Sequence, residues 1–242
     1  MSKEHELPDY NISEWFPKKS KYCFVAVTWN EGERFINQIK KMEEKSDEAD
    51  IIISDRRSND GSTSQDFLIN NKVRALLETD APGRCTSIRI AIDYAMNQNY
   101  QGIIFVDGNG KDGVDALPNF IESLDNGYDL VQGSRFIKGG YHTNTPLARY
   151  LGIKLVVSPF LSLGTGFFFT DPTNGFRACS MKYINDPRLK PLRKIFVWEN
   201  LQLYLIWRAA QLNLKIKEIP VSRVYPDDGT VPTKVVGLKY IF

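Results

Sequence analysis

Apolar positions along this chain fall in short β-branched runs, separated by polar segments that keep a helical period. "YCFVAVT" (22–28) is apolar at consecutive positions; "WNEGERFINQIKKMEEK" after it is amphipathic, with Asn30 placed to cap a helix and Glu33 three residues on, as in a capping box. The alternation repeats in "ADIIIS" (49–54), a polar loop, "SQDFLINN" and a third run, "VRALLET" (73–79). "RCTSIRIAIDYAMNQN" sets Ile88, Ala91, Ile92, Ala95 and Met96 on one helical face, and "GIIFV" (102–106) is a fourth strand. Strands apolar on both faces, alternating with amphipathic helices, predict a mostly parallel α/β sheet with helices on both faces. Ligands of such sheets bind beyond the carboxyl ends of the strands, where Thr28, Asp55 and Asp107 fall.

The second half has another rhythm: "YDLVQGSRF" (128–136), an apolar helix from about Leu147, "TNGFRACS", a long apolar helix over "KIFVWENLQLYLIWRAAQL" (194–212), then "KIKEIPVSRVY" (215–225). No Ser/Gly linker, low-complexity tract or repeat divides it from the first, so a single domain over 21–242 is expected behind a polar surface lead-in, 1–20.

At 242 residues and 42% hydrophobic, the chain can bury a full core. Lys and Arg number 31 against 29 acids, so nothing favours nucleic acid in general, and any anion site must come from local clustering. Cys23, Cys85 and Cys179 are widely spaced, without a CxxC pair, and only His5 and His142 are present to help build a metal site; a reducing cytoplasm fits this usage. The N-terminus lacks the apolar core of a signal peptide, so no export is expected. "LGIKLVVSPFLSLGTGFFFT" (151–170) is about as long as a membrane span. Lys154, Pro159, Gly164 and Gly166 interrupt it, which suits a helix in a groove or against a bilayer surface.

Two stretches carry candidate chemistry. In "IIISDRRSNDGSTS" (51–64), Asp60-Gly61 is turn chemistry, while Asp55 at a strand end could accept hydrogen bonds from a base or ribose; Arg56 and Arg57 meet phosphate or solvent. In "VDGNGKDG" (106–113), Asp107 and the Asn109 amide oxygen suit Mg²⁺ or Mn²⁺, and the glycines leave room for a bulky charged ligand or make a plain turn. "GSRFIKGG" (133–140) with Arg149, Arg177 and Arg223 supplies guanidinium groups for phosphate, provided that they converge.

In this order the pieces resemble a family 2 glycosyltransferase of the GT-A fold, in the dolichol-phosphate mannose synthase-like branch. "VTWNEGE" is similar to that branch's "PTYNE", "SDRRSNDGS" to its "DDGSTDGT", "VDGNGKDG" to its "DADLQHP", "GSRFIKGG" to its "GSRY..GG", "DPTNGFRACS" to its "D.TSGFRA", and "IPVSRVYPDDGTVPTK" to its closing segment with "RVYGESK". The resemblance runs from about Tyr22 to Lys234. It implies a Rossmann-like nucleotide-sugar half over about 21–112 and an acceptor half over 113–242. It further implies that Asp55 contacts the nucleobase, that Asp107 and Asn109 stand at the metal-binding DXD motif, and that Arg135, Arg149, Arg223 and Lys234 match basic residues around phosphates. Thr28, Asn30, Glu31, Arg84, Gly108 and Lys111 join the expected nucleotide-sugar pocket. Two departures stand out: Asn109 replaces the second DXD acid, and Lys111 replaces the usual glutamine, so one negative ligand is lost and one positive charge gained.

Sugar transfer from a nucleotide diphosphate needs the leaving group neutralised. A polyprenyl-phosphate acceptor is already ionised near neutral pH, whereas a sugar hydroxyl needs a positioned carboxylate, for which Asp171 and Glu199 are the candidates. "KYINDPRLKPLRK" (182–194), with five basic residues against one acid, suits anionic lipid or is a solvated loop. The expected protein is a cytoplasmic, metal-dependent, inverting glycosyltransferase of surface polysaccharide or lipid-linked glycan synthesis, peripheral at most to the inner face of the membrane. A non-catalytic nucleotide-sugar binder with a degraded DXD is the alternative; a sugar-phosphate nucleotidylyltransferase would want a Gly-rich loop where "TWNEGERF" stands.

Overall fold

The computed structural model describes residues 6–227. Its strands are β1 (Asn11–Glu14), β2 (Tyr22–Thr28), β3 (Asp50–Asp55), β4 (Val73–Glu78), β5 (Gly102–Asp107), β6 (Leu130–Ser134), β7 (Tyr141–Thr143), β8 (Arg177–Ser180), β9 (Ile216–Pro220) and β10 (Ser222–Val224). The helices are α1 (Glu33–Glu43), α2 (Gln65–Asn70), α3 (Arg84–Asn97), α4 (Leu117–Asp125), α5 (Leu147–Gly152), α6 (Ser158–Thr165), α7 (Met181–Ile184) and α8 (Asn200–Gln211).

The central sheet has the order β1-β4-β3-β2-β5-β8-β6-β9. β4, β3, β2 and β5 are mutually parallel, because α1, α2 and α3 carry the chain back between β2, β3, β4 and β5 in turn. β8 lies antiparallel between β5 and β6, and β6 pairs parallel with β9, so the expected mostly parallel sheet is present with one reversed strand inside it. The lead-in contributes more than surface: β1 pairs antiparallel with β4 and forms the edge of the sheet.

Successive residues of β2 and β5 feed opposite cores. Cys23, Val25, Ile103 and Phe105 pack with Ile88 and Ile92 of α3 and Leu205 of α8. Phe24, Ala26, Ile104 and Val106 pack with Phe35 and Ile39 of α1 and with Phe120 of α4. Burying each Val, Ile, Leu or Phe side chain among them is worth about 1.5–3 kcal/mol, which makes the two-sided sheet the stable solution for runs apolar at every position.

Two local expectations change, and a third holds. Asn30 does not cap α1: it sits at φ 49°, donates its N–H to Ser58 Oγ (2.8 Å) and accepts the Asn59 N–H on Oδ1 (2.8 Å), while Gly32 donates to Asp60 Oδ2 (2.8 Å). These bonds tie the β2–α1 turn to the β3–α2 loop. The long apolar helix expected over 194–212 begins only at Asn200, because the carbonyls of Val197 and Trp198 accept the Cys85 N–H at the start of α3 and so leave helical register. The helix from Leu147 forms as expected and passes Pro159: α5, a π-helical turn (Ile153–Val157) and α6 run on as one, the wide turn falling just before the residue that has no N–H to give. Gly166, left-handed at φ 71°, ends it.

β7 and β10 form a separate two-stranded sheet, with His142 opposite Arg223. Arg223 also bridges to Asp112, which draws this small sheet over the carboxyl end of β5.

Candidate active site

Asp107 ends β5, and both of its carboxylate oxygens are engaged. Arg84, in the first turn of α3, donates to Oδ1; Arg223 Nη2, on β10, donates to Oδ2 at 2.9 Å. Each arginine is held by a second carboxylate: Arg223 Nη1 lies 2.6 and 2.7 Å from the two oxygens of Asp112, and Arg84 Nη1 lies 3.2 Å from Glu199 Oε2. The Lys111 ammonium sits 5.0 Å from the Tyr225 ring centroid, and Arg149 Nη1 donates to the Tyr225 hydroxyl at 2.9 Å. Four cations and three carboxylates thus form one connected centre.

Burial opposes the charge on Asp107, but Arg84, Arg223 and Lys111 outweigh it and hold its carboxyl well below the usual range. Burial and then the neighbouring Arg223 pull the Lys111 ammonium down to about 8, against Asp107. For Tyr225, burial pushes the phenol up, yet Arg223, Arg149 and Lys111 together bring it below its ordinary value. The surroundings therefore favour negative charge, which suits a phosphate ligand.

The glycines here make room for protein rather than for ligand. A Cβ on Gly108 would meet the Val27 carbonyl at 2.8 Å and Phe35 at 3.1 Å, so this residue lets the loop close on β2. A Cβ on Gly175, a residue not singled out in the sequence, would meet Asp107 Oδ1 at 2.7 Å and Arg84 Nη2 at 2.9 Å. Asp112 and Tyr225 were likewise visible only as parts of "VDGNGKDG" and "SRVYP"; nothing local marked them as partners of Arg223 and Arg149.

Several expected site residues are engaged by the protein itself. Asp55 is fully buried and accepts from the Ser58 N–H and hydroxyl (2.9 and 2.6 Å) and from Thr63 (3.1 Å), so it braces its own loop. Asp171 is 0% exposed and takes Arg135 Nε and Nη2 at 2.6 and 2.8 Å; this pair braces the chain after β6, and Asp171 presents no oxygen to an acceptor. Arg177 is buried and donates to the carbonyls of Gln202, Pro172 and Asn174, away from phosphate duty. Glu31 pairs with Arg34 at 2.9 Å, Thr28 is buried at the end of β2, and Arg57 pairs with Asp80 at 2.6 Å. Arg56 stacks 4.1 Å from the Trp29 ring centroid at the same end of the sheet. Lys234 lies outside the described residues.

Among the described residues, no three Asp, Glu, His or Cys side chains gather as a metal site. Asp107 gives both oxygens to guanidinium groups, Asp112 is bidentate on Arg223, and Asn109 Oδ1 accepts the Lys111 N–H at 3.4 Å. A dication about 5 Å from one of these cations is opposed by roughly 7 kcal/mol at an effective dielectric of 20. The residues around Asp107 do not fit Mg²⁺ or Mn²⁺.

No protein-family profile matches the chain. It is 26% identical over 205 residues to polyprenol monophosphomannose synthase of Mycolicibacterium smegmatis, over 82% of this chain and 75% of that one. It is 24% identical over 208 residues to undecaprenyl-phosphate mannosyltransferase of Micrococcus luteus, over 85% and 84%. Among solved structures it resembles glucosyl-3-phosphoglycerate synthase of Mycobacterium tuberculosis, in complex with Mn²⁺, UDP and glucosyl-3-phosphoglycerate, with a TM-score of 0.60 at 14% identity over 86% of this chain and 73% of that one. A cytidylyltransferase from Leptospira borgpetersenii matches with a TM-score of 0.50 at 10% identity, over 85% and 78%. The structural likenesses establish the fold, and the sequence likenesses agree with the motif order.

Proposed function

We propose that this chain, a GT-A glycosyltransferase of family 2 and of the dolichol-phosphate mannose synthase-like branch, moves a sugar from a nucleotide diphosphate sugar to a polyprenyl phosphate, with inversion at the anomeric carbon. One observation carries the acceptor: the cationic centre is joined to an exposed apolar helix. Arg149 of α5 bonds Tyr225, beside Lys111 and Arg223, and from there the helix runs outward with Leu147, Leu155, Val156, Phe160 and Leu163 exposed. Leu163 is 87% and Phe160 68% exposed, whereas Ile153, Ser158 and Leu161 of the same helix are buried against the domain.

Leu147–Thr165 is long and apolar enough to cross a membrane by length and composition. Its buried face and its tie to Tyr225 favour a helix lying in the bilayer interface, which would set the phosphate centre at headgroup depth. The free, buried cysteines Cys23, Cys85 and Cys179 accord with the cytoplasmic side, where nucleotide sugars are available.

In this scheme Arg84, Lys111 and Arg223 neutralise the diphosphate as its bond to the anomeric carbon breaks, and a phosphate oxygen of the acceptor forms the new bond from the opposite face. That oxygen is already ionised, so no general base is required. The burial of Asp171 under Arg135 and the engagement of Glu199 by Arg84 accord with such an acceptor better than with a sugar hydroxyl. No step passes through a divalent ion. The test is transfer from a panel of radiolabelled UDP and GDP sugars to undecaprenyl phosphate in vesicles. Label entering the organic phase from one donor is expected; label appearing only on water-soluble glycan acceptors would overturn the reading.

A further inference from the structure

Resting on that reading, we propose that the enzyme binds and activates the diphosphate of its donor without a divalent ion, the guanidinium groups of Arg84 and Arg223 and the Lys111 ammonium standing in the ion's place. In the sequence, Asn109 for an acid and Lys111 for a neutral amide each add one positive charge relative to the "DADLQ" pattern. Together they shift the charge of the motif by as much as one divalent ion would.

In the structure, Asp107 acts as a spacer between arginines. It holds one guanidinium on each oxygen, while Asp112 and Glu199 grip the far sides of the same two groups. Each arginine is therefore clamped between two carboxylates, Arg223 between Asp107 and Asp112 and Arg84 between Asp107 and Glu199. The Arg223 side chain is only 7% exposed and that of Arg84 23%, so neither sweeps solvent in search of a ligand. Guanidinium forks fixed in advance suit the oxygens of a diphosphate and lose little freedom on binding it. Lys111, buried beside Tyr225, adds a point charge on the side of Arg149 and of the acceptor helix. Asp107, the one carboxylate of the motif that remains, here orients cations.

The experiment is calorimetric titration of the intact chain with UDP, GDP, CDP and dTDP, once in EDTA and once in Mn²⁺, together with electron paramagnetic resonance of Mn²⁺ added alone. The tightest nucleotide is expected to keep its Kd within about threefold between the two buffers, and Mn²⁺ alone to stay unbound up to about 1 mM. A loss of affinity in EDTA of about tenfold or more, or tight binding of Mn²⁺ alone, would overturn the inference and leave the glycosyltransferase reading intact. Failure of all four nucleotides in both buffers would instead overturn that reading, and this inference with it. The double variant Asn109→Asp, Lys111→Gln is expected to lose about tenfold in EDTA and to recover in Mn²⁺; unchanged binding in EDTA would remove Lys111 from the role.

Discussion

Replacing Gly175 by alanine separates the centre's function from the fold. The new Cβ would fall 2.7 Å from Asp107 Oδ1 and 2.9 Å from Arg84 Nη2. Ordinary contact needs about 0.6 Å more at each, and the atoms that must give way are the two partners of one ion pair. Asp107 is pinned on its other oxygen by Arg223, so Arg84 has to retreat. Lengthening an ion pair by 0.6 Å from ordinary contact costs about 1 kcal/mol at an effective dielectric of 20. Alanine restricts the unfolded chain relative to glycine, which returns about 0.4–1 kcal/mol and nearly cancels that loss in stability. Chemistry is less forgiving, since misplacing a charge by a fraction of an ångström at a reacting centre costs about 10–100-fold in rate. The expected Gly175→Ala enzyme melts within a few degrees of the parent and transfers sugar at a few per cent of its rate, measured by circular dichroism and by organic-phase label side by side. Parental transfer, or a collapse in melting temperature with the rate per folded molecule preserved, would refute the assignment of the Arg84–Asp107 pair to the active centre.

Asp171→Asn leaves Arg135 buried opposite a neutral group and is expected to cost about 3–5 kcal/mol in denaturant unfolding; a rate loss with unchanged stability would return Asp171 to the acceptor side. Phe160→Glu with Leu163→Glu, on the exposed face of α6, is expected to abolish flotation with anionic vesicles at unchanged melting temperature, while continued flotation would move the membrane contact elsewhere. Burial pushes the thiols of Cys85 and Cys179 up to about 12, so at pH 8 both are protonated in the fold, and labelling by an aromatic disulfide is expected only after denaturation. Rapid labelling of the native chain would show that the core around α3 and β8 opens.

Most of the sheet was legible because it depends on local pattern. Short β-branched runs such as "III" and "IIFV", bounded by polar turns, suit a strand covered on both faces, and the helical period of "SIRIAIDYAM" asks for a face to bury, although the fold buries α3 on every side from Cys85 to Ala95. The place of Asp107 at a strand end, the loss of an acid at Asn109 and the gain of a cation at Lys111 were equally plain, since each is a property of one short segment. Asn30 misled because its residue type suits a cap, while the loop at Ser58 and Asn59 competed for the same hydrogen bonds and won.

What the sequence by itself determined was therefore the alternation of strands and helices, the end of the sheet that carries the chemistry, and the charge of the central motif. The tertiary structure alone decided which charges meet. Arg84 and Arg223 stand 23 and 116 residues from Asp107, and Arg135 stands 36 from Asp171. No spacing rule reaches so far: these partners come together only once β8 is inserted antiparallel beside β5 and the β7–β10 ribbon folds across the strand ends. An ion pair forms over a few ångströms, whereas the chain's local preferences fade within a few residues, so the same acids that read as ligands or bases in the sequence became the clamps of arginines in the fold.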